Sequence, residues 1–175
     1  MKAVFLDRDG TINVGIPKYD RVDSVEKVEL LPGVMEGLSM LATLDYGVFL
    51  VTNQLGLAEG LINREEFDAI NARTLELIAP SGIKILETYV CPHGTGSDCT
   101  CQKPKPGMLL DAARKYDINL AESWMVGDRL TDVQTGNNAG TKTVLVLSGA
   151  QVTAPEATYT APSFLDAANY IATQT

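Results

Sequence analysis

Five short runs of almost unbroken apolar, β-prone residues punctuate the 175-residue chain: Ala3–Leu6, Val48–Thr52, Ile85–Val90, Trp124–Val126 and Thr143–Leu147. Runs without polar alternation predict strands covered on both faces, as in a parallel sheet. Between them the apolar positions recur at helical spacing. Val34, Leu38 and Leu41 form one stripe, and Phe67, Ile70, Thr74 and Leu77 a second. Leu109, Ala112, Ala113 and Tyr116 form a third, and Phe164, Ala167, Ala168 and Ile171 a fourth. Asn63 with Glu66, and Ser163 with Asp166, have the spacing of capping boxes at two helix starts. Strand–helix alternation predicts a single α/β domain over residues 1–175. Its expected core is a Rossmann-like, doubly wound, mostly parallel sheet with helices on both faces. The apolar runs are too short to span a bilayer, and no repeat or Pro/Ser linker divides the chain.

That architecture directs attention to the strand ends, because ligands of open parallel sheets sit beyond the carboxyl edge. The residues there read Asp7-Arg8-Asp9-Gly10-Thr11, Thr52-Asn53-Gln54, Cys91-Pro92-His93 and Gly127-Asp128-Arg129. Every predicted strand but the last thus ends in polar or metal-binding chemistry. Asp7 and Asp9 are two carboxylates separated by one residue, an arrangement comfortable only beside a cation or with a proton retained. Asp128 brings a third carboxylate to the edge, and such oxygen-rich clusters suit Mg²⁺. Gly10 permits a tight turn with backbone N–H groups facing an anion. Thr52 and Asn53 offer a hydroxyl and an amide to phosphate oxygens. A lysine of CQKPKPG could neutralise such an oxygen, and residue chemistry alone leaves Lys103 and Lys105 equally eligible.

The net charge of −8, from 14 basic and 22 acidic residues, argues against nucleic acid or an anionic membrane as partner. All three Cys and the only His lie in Cys91-x-His93-x5-Cys99-x-Cys101. Three thiolates and an imidazole make a closed tetrahedral set for Zn²⁺, and Gly94, Gly96 and Ser97 let the loop fold back. Its expected role is structural, since so polar a loop buries too little to hold its own shape. An odd Cys count disfavours a disulfide scaffold, and Asp7 interrupts the N-terminal apolar run before a signal core is complete. The expectation is a cytoplasmic, monomeric protein.

Asp7-x-Asp9-Gly10-Thr11, Thr52-Asn53-Gln54, Lys103 and Gly127-Asp128-Arg129-x-x-Asp132 together resemble the four-motif set of the haloacid dehalogenase superfamily. The resemblance covers nearly the whole chain. FLDRDGTIN, VTNQ, CPH, CxC and KP narrow it to the branch containing heptose-bisphosphate and histidinol-phosphate phosphatases. It implies that Asp7 is a nucleophile forming an aspartyl-phosphate and that Asp9 is the general acid and base. It also implies that Thr52 and Lys103 hold the transferring phosphoryl oxygens. Mg²⁺ is then expected on Asp7, the Asp9 backbone carbonyl and Asp128, with Asp132 behind them. Asn53, Gln54, Gln102 and Arg129 become the expected substrate contacts. Two positions depart from the branch: Gln102 stands where Arg is usual after CxC, and Glu59 where heptose enzymes usually carry Arg. The connections are too short for a cap domain, so Gly15–Asp20 and the Cys/His loop are the expected walls of an open site.

The implied function is Mg²⁺-dependent hydrolysis of a small phosphorylated metabolite, a heptose 1,7-bisphosphate ahead of histidinol phosphate. A non-enzymatic phospho-acceptor module is the rival reading. Asp9, a ready acid/base beside the nucleophile, favours turnover. A zinc-clip nucleic-acid binder is disfavoured by the acidic charge.

Overall fold

The computed structural model describes residues 1–15, 22–148 and 152–175. The strands are β1 (Ala3–Leu6), β2 (Gly47–Asn53), β3 (Ile85–Cys91), β4 (Trp124–Gly127), β5 (Lys142–Val146) and β6 (Tyr159–Ala161). They form one sheet in the order β3-β2-β1-β4-β5-β6, with every neighbouring pair parallel. The helices are α1 (Val34–Leu41), α2 (Leu55–Ala58), α3 (Arg64–Ile78), α4 (Gly107–Tyr116), α5 (Leu130–Ala139) and α6 (Phe164–Ala172). The chain starts in the middle of the sheet, builds outward to β3, then returns to lay β4 against the free side of β1. The strand order therefore reverses between β1 and β4, where parallel sheets open a crevice at their carboxyl edge.

Alternate strand residues serve opposite faces, which explains the unbroken apolar runs. Val4, Leu6, Val48, Leu50, Trp124 and Val126 pack under α1 and α6 through Leu38, Leu41, Phe164 and Ile171. Phe5, Phe49, Val51 and Met125 face α4 through Met108, Leu109 and Ala112. Phe5 and Phe49 stack with centroids 5.4 Å apart, and Tyr116 meets Phe49 edge-on at 5.0 Å. Truncating such a core ring, as in Phe49→Ala, costs about 3–5 kcal/mol.

The predicted strands and helical stripes are all present, with adjustments that have physical causes. Ile78 rather than Leu77 completes the buried stripe of α3, and Leu77 is half-buried. The Asn63–Glu66 box is fully formed. At α6 the Ser163 hydroxyl accepts from the Asp166 N–H but donates to the Asp166 carboxylate at 2.6 Å, so only half of the box is made. Three elements were not anticipated: β6, α5 and the four-residue α2. β6 is a three-residue edge strand, too short to leave a pattern. The α5 segment has no apolar stripe because it packs through small and polar residues. A Cβ on Gly136 would lie 2.5 Å from Thr143 Cγ2 and 2.8 Å from Met125 Cβ, so only glycine lets α5 sit this close to β4 and β5. The expected wall Gly15–Asp20 falls, from residue 16 onward, outside the described residues.

Candidate active site

Asp7 leaves β1 at the reversal point, its N–H donating to the Val126 carbonyl of β4 at 2.9 Å. Its carboxylate meets Lys103, whose Nζ lies 2.6 Å from Asp7 Oδ1 and 2.5 Å from Asp132 Oδ1. The third ammonium proton faces the Val51 carbonyl at 3.3 Å. All three side chains are buried. Stranding a buried charge costs about 3–5 kcal/mol, but Lys103 keeps a second carboxylate when either aspartate is lost. An exposed pair such as Arg64–Asp68 is worth less than about 1 kcal/mol.

Carboxylate oxygens of Asp7, Asp128 and Asp132 all lie within 4.8 Å of one another. Three carboxylates and one ammonium leave two negative charges in excess. Burial pushes the Asp7 carboxyl well above its usual range; Lys103 opposes this, while Asp132 and Asp128 reinforce it. Burial, then Asp132, likewise raises Asp128. Against the same burial, Asp132 and Asp7 hold the Lys103 ammonium above its ordinary value. A divalent cation on Asp7 and Asp128 matches this excess charge and the all-oxygen donor set.

The loop after β1 shapes that edge. Arg8 O accepts from the N–H groups of Ile12 at 2.8 Å and Asn13 at 2.9 Å, folding DGTIN into a tight turn. Gly10 sits at φ +95°, and a Cβ there would lie 2.3 Å from Asp128 Oδ2. Thr11 Oγ1 donates to Asp128 Oδ1 at 3.2 Å. Asp132 Oδ2 accepts the Arg129 N–H at 3.0 Å, so one carboxylate both starts α5 and holds Lys103. Arg129 itself is exposed, its Nε 4.0 Å from Asp128 Oδ2.

Asp9 has a separate partner. Arg8 Nε donates to Asp9 Oδ1 at 3.0 Å and Nη2 to Oδ2 at 2.9 Å. The repulsion expected between Asp7 and Asp9 is thus relieved by one cation each, Lys103 and Arg8. Gln54 is corrected from substrate contact to buried support. It is 1% exposed, and its Nε2 donates to Asp9 Oδ2 at 2.8 Å and to Thr52 Oγ1 at 2.9 Å. Asn53 is also committed: it donates to Lys103 O at 3.2 Å and accepts from Lys103 N–H at 3.0 Å, fixing the backbone that carries the lysine. The Thr52 hydroxyl proton is left to donate elsewhere. Gln102 lies half-exposed beside Lys103.

Cys91, His93, Cys99 and Cys101 converge, with donor atoms within 4.8 Å of one another. Cys91 Sγ is 3.8 Å from Cys99 Sγ and 3.6 Å from His93 Nδ1, and His93 Nδ1 is 3.2 Å from Cys101 Sγ. A tetrahedron with Zn–S bonds near 2.3 Å has S–S edges of about 3.8 Å, so the donor set fits zinc. Burial pushes the Cys91 thiol up. Cys99, although its desolvation acts upward, is brought down to about 6 by hydrogen bonds from Ser97 and the Gln102 backbone. Lys105 is separated from Lys103 here. Its Nζ donates to the carbonyls of Ser97 at 3.1 Å and Cys99 at 2.6 Å, bracing the loop rather than the acid edge.

Arg8, the partner of Asp9, is a residue of this cluster that sequence alone did not single out. A charged side chain directly after a buried strand was the signal, since it must find a counter-charge nearby.

Known proteins sharpen this picture. A HAD-hydrolase-like family model matches residues 100–171. The D-glycero-beta-D-manno-heptose-1,7-bisphosphate 7-phosphatase of Bordetella bronchiseptica is 39% identical over 149 residues, covering 85% of this chain and 82% of that protein. The D-glycero-alpha-D-manno-heptose-1,7-bisphosphate 7-phosphatase of Campylobacter jejuni is 39% identical over 147 residues, covering 84% and 83%. A crystal structure of the D,D-heptose 1,7-bisphosphate phosphatase from B. bronchiseptica, complexed with magnesium and phosphate, superposes with a TM-score of 0.90. It covers 100% of both chains at 35% identity. The chain belongs to the haloacid dehalogenase superfamily, among its phosphoric monoester hydrolases.

Proposed function

We propose that this enzyme removes the 7-phosphate of a D-glycero-D-manno-heptose 1,7-bisphosphate through an aspartyl-phosphate on Asp7. The observation that carries the reading is the buried Asp7–Lys103–Asp132 group with Asp128 beside it, at the reversal point of the sheet. Relatives bearing that activity, at 36–39% identity over most of the chain, support the substrate.

Asp7, Asp128 and the Asp9 backbone carbonyl would hold Mg²⁺, which supplies positive charge to the phosphoryl group during transfer. An Asp7 oxygen attacks phosphorus as the bond to the sugar oxygen breaks, and Asp9 gives its proton to that leaving oxygen. Lys103 and the Thr52 hydroxyl hold the phosphoryl oxygens while charge moves among them. Asp9 then takes a proton from water, whose oxygen attacks the acyl phosphate. Phosphate leaves and the Asp7 carboxylate is restored.

Cys91, His93, Cys99 and Cys101 would hold structural zinc, fixing the loop that ends two residues before Lys103. Short connections at the carboxyl edge leave the site open, which suits a substrate carrying a second phosphate.

Phosphate release from both anomers of the heptose 1,7-bisphosphate and from histidinol phosphate, with and without Mg²⁺, tests the reading. A kcat/KM at least about tenfold higher for one heptose anomer, lost without Mg²⁺, is expected. Preference for histidinol phosphate would overturn the substrate; turnover without Mg²⁺ would overturn the mechanism.

A further inference from the structure

Arg8 is wholly buried, and none of the steps above uses it. A buried guanidinium needs hydrogen-bond acceptors, and Arg8 meets the Asp9 carboxyl with a two-pronged fork, at 3.0 and 2.9 Å. The Phe67 ring of α3 backs the guanidinium at 5.2 Å, so the fork cannot retreat from the carboxylate without losing that contact. Gln54 closes the arrangement from the other strand. One amide nitrogen donates to both Asp9 Oδ2 and Thr52 Oγ1, joining the acid/base to the hydroxyl that would hold a phosphoryl oxygen. Turning the amide over would place Oε1 against the carboxylate, so its orientation is determined. Among the described residues, Arg8 Nη1 and Gln54 Oε1 are buried without a hydrogen-bond partner.

A lone aspartate samples several rotamers, whereas proton transfer needs one of its oxygens held within about 2.6–3.2 Å of the leaving oxygen. We infer that Arg8 and Gln54 are positioning residues that fix the Asp9 carboxylate for its proton transfers, with Gln54 holding it in register with Thr52. The inference rests on the acid/base role of Asp9 given above.

The test exploits leaving groups. An alkyl phosphate needs its departing oxygen protonated, while p-nitrophenolate departs unaided. Single-turnover phosphoryl transfer is measured with p-nitrophenyl phosphate and with the fastest alkyl phosphate of the panel above. Gln54→Met is expected to slow the alkyl ester about tenfold or more and the aryl ester less than about threefold. Arg8→Met should widen the split and Arg8→Lys should recover part of it. If Arg8→Met fails to fold, Gln54→Met and Arg8→Lys decide. Equal slowing of both esters, or of neither, overturns the inference. Asp9→Asn is the control: a split there without one in Gln54→Met sinks the positioning role alone. Equal slowing by Asp9→Asn sinks the acid/base reading and the inference with it.

Discussion

Two clusters of metal-fitting side chains lie near each other at the carboxyl edge of the sheet, and they are built in opposite ways. The acid edge draws Asp7, Lys103 and the Asp128–Asp132 pair from three segments; all but the half-buried Asp128 are buried, and Gly10, Thr11 and Asn53 brace them. Its carboxylates have protein partners before any ion arrives. The Cys/His loop draws its four ligands from eleven consecutive residues, with His93 exposed and two glycines in the span. Lys105, the Ser97 hydroxyl and a few backbone hydrogen bonds, such as Gly107 N–H to the Thr100 carbonyl at 3.0 Å, brace it. The difference teaches that one ion would enter a site the fold has already made, whereas the other would make its site.

The sharpest way to separate the two is Asp7→Asn. Turnover should fall by about 10⁴-fold or more, while the melting temperature holds, because the change removes a crowded carboxylate's charge but keeps its shape. Steady-state kinetics beside calorimetry would show both. Stripping metal from the loop with a chelator, or making Cys99→Ser, should strike stability as well. Stability is expected to fall by about 2–3 kcal/mol, near 4–12 °C in Tm, with activity lost through a displaced Lys103. Metal analysis returning about one zinc per chain belongs to the same expectation, and zinc-free protein with full stability would refute it. Gly10→Ala comes next. Its Cβ would lie 2.3 Å from Asp128 Oδ2 on a backbone at φ +95°, so the Mg²⁺ concentration for half-maximal activity should rise about 10-fold or more, with Tm lowered by a few degrees through backbone strain. Lys105→Met should do least: about 1 kcal/mol of stability, and kcat/KM within about twofold. A larger loss of activity there would mean that the loop and the acid edge are one unit rather than two.

Most of this organisation was legible in the sequence because each signal was local. Uninterrupted apolar runs marked five strands, and polar residues directly after them marked the site. The four zinc-fitting ligands sit in one short segment. What escaped detection depended on packing partners. The α5 helix shows no apolar stripe because Gly136 and Thr135 let it lie against β4 and β5 without large side chains. Residue types alone could not separate Lys103 from Lys105; their partners do, Asp7 and Asp132 against the Ser97 and Cys99 carbonyls. The resemblance favoured Lys103, and geometry agrees. It also suggested Gln54 as a substrate contact, and there the buried hydrogen bonds to Asp9 and Thr52 decide otherwise. No pattern of types distinguishes an amide facing a ligand from one facing its neighbours.

The reversal of strand order between β1 and β4 bears on how the chain acquires its chemistry. Asp7 and Lys103 are 96 positions apart, and Thr11 reaches 117 positions to Asp128. Contacts of such separation carry a large loop-closure entropy and form late. The Cys/His loop, by contrast, closes over a span short enough to form early. Folding from the amino end, the molecule can bring its Cys/His loop together while Asp7 is still an ordinary carboxylate. Asp7 gains its surroundings only when the second half of the sheet docks, so the candidate site is complete only in the fully folded molecule.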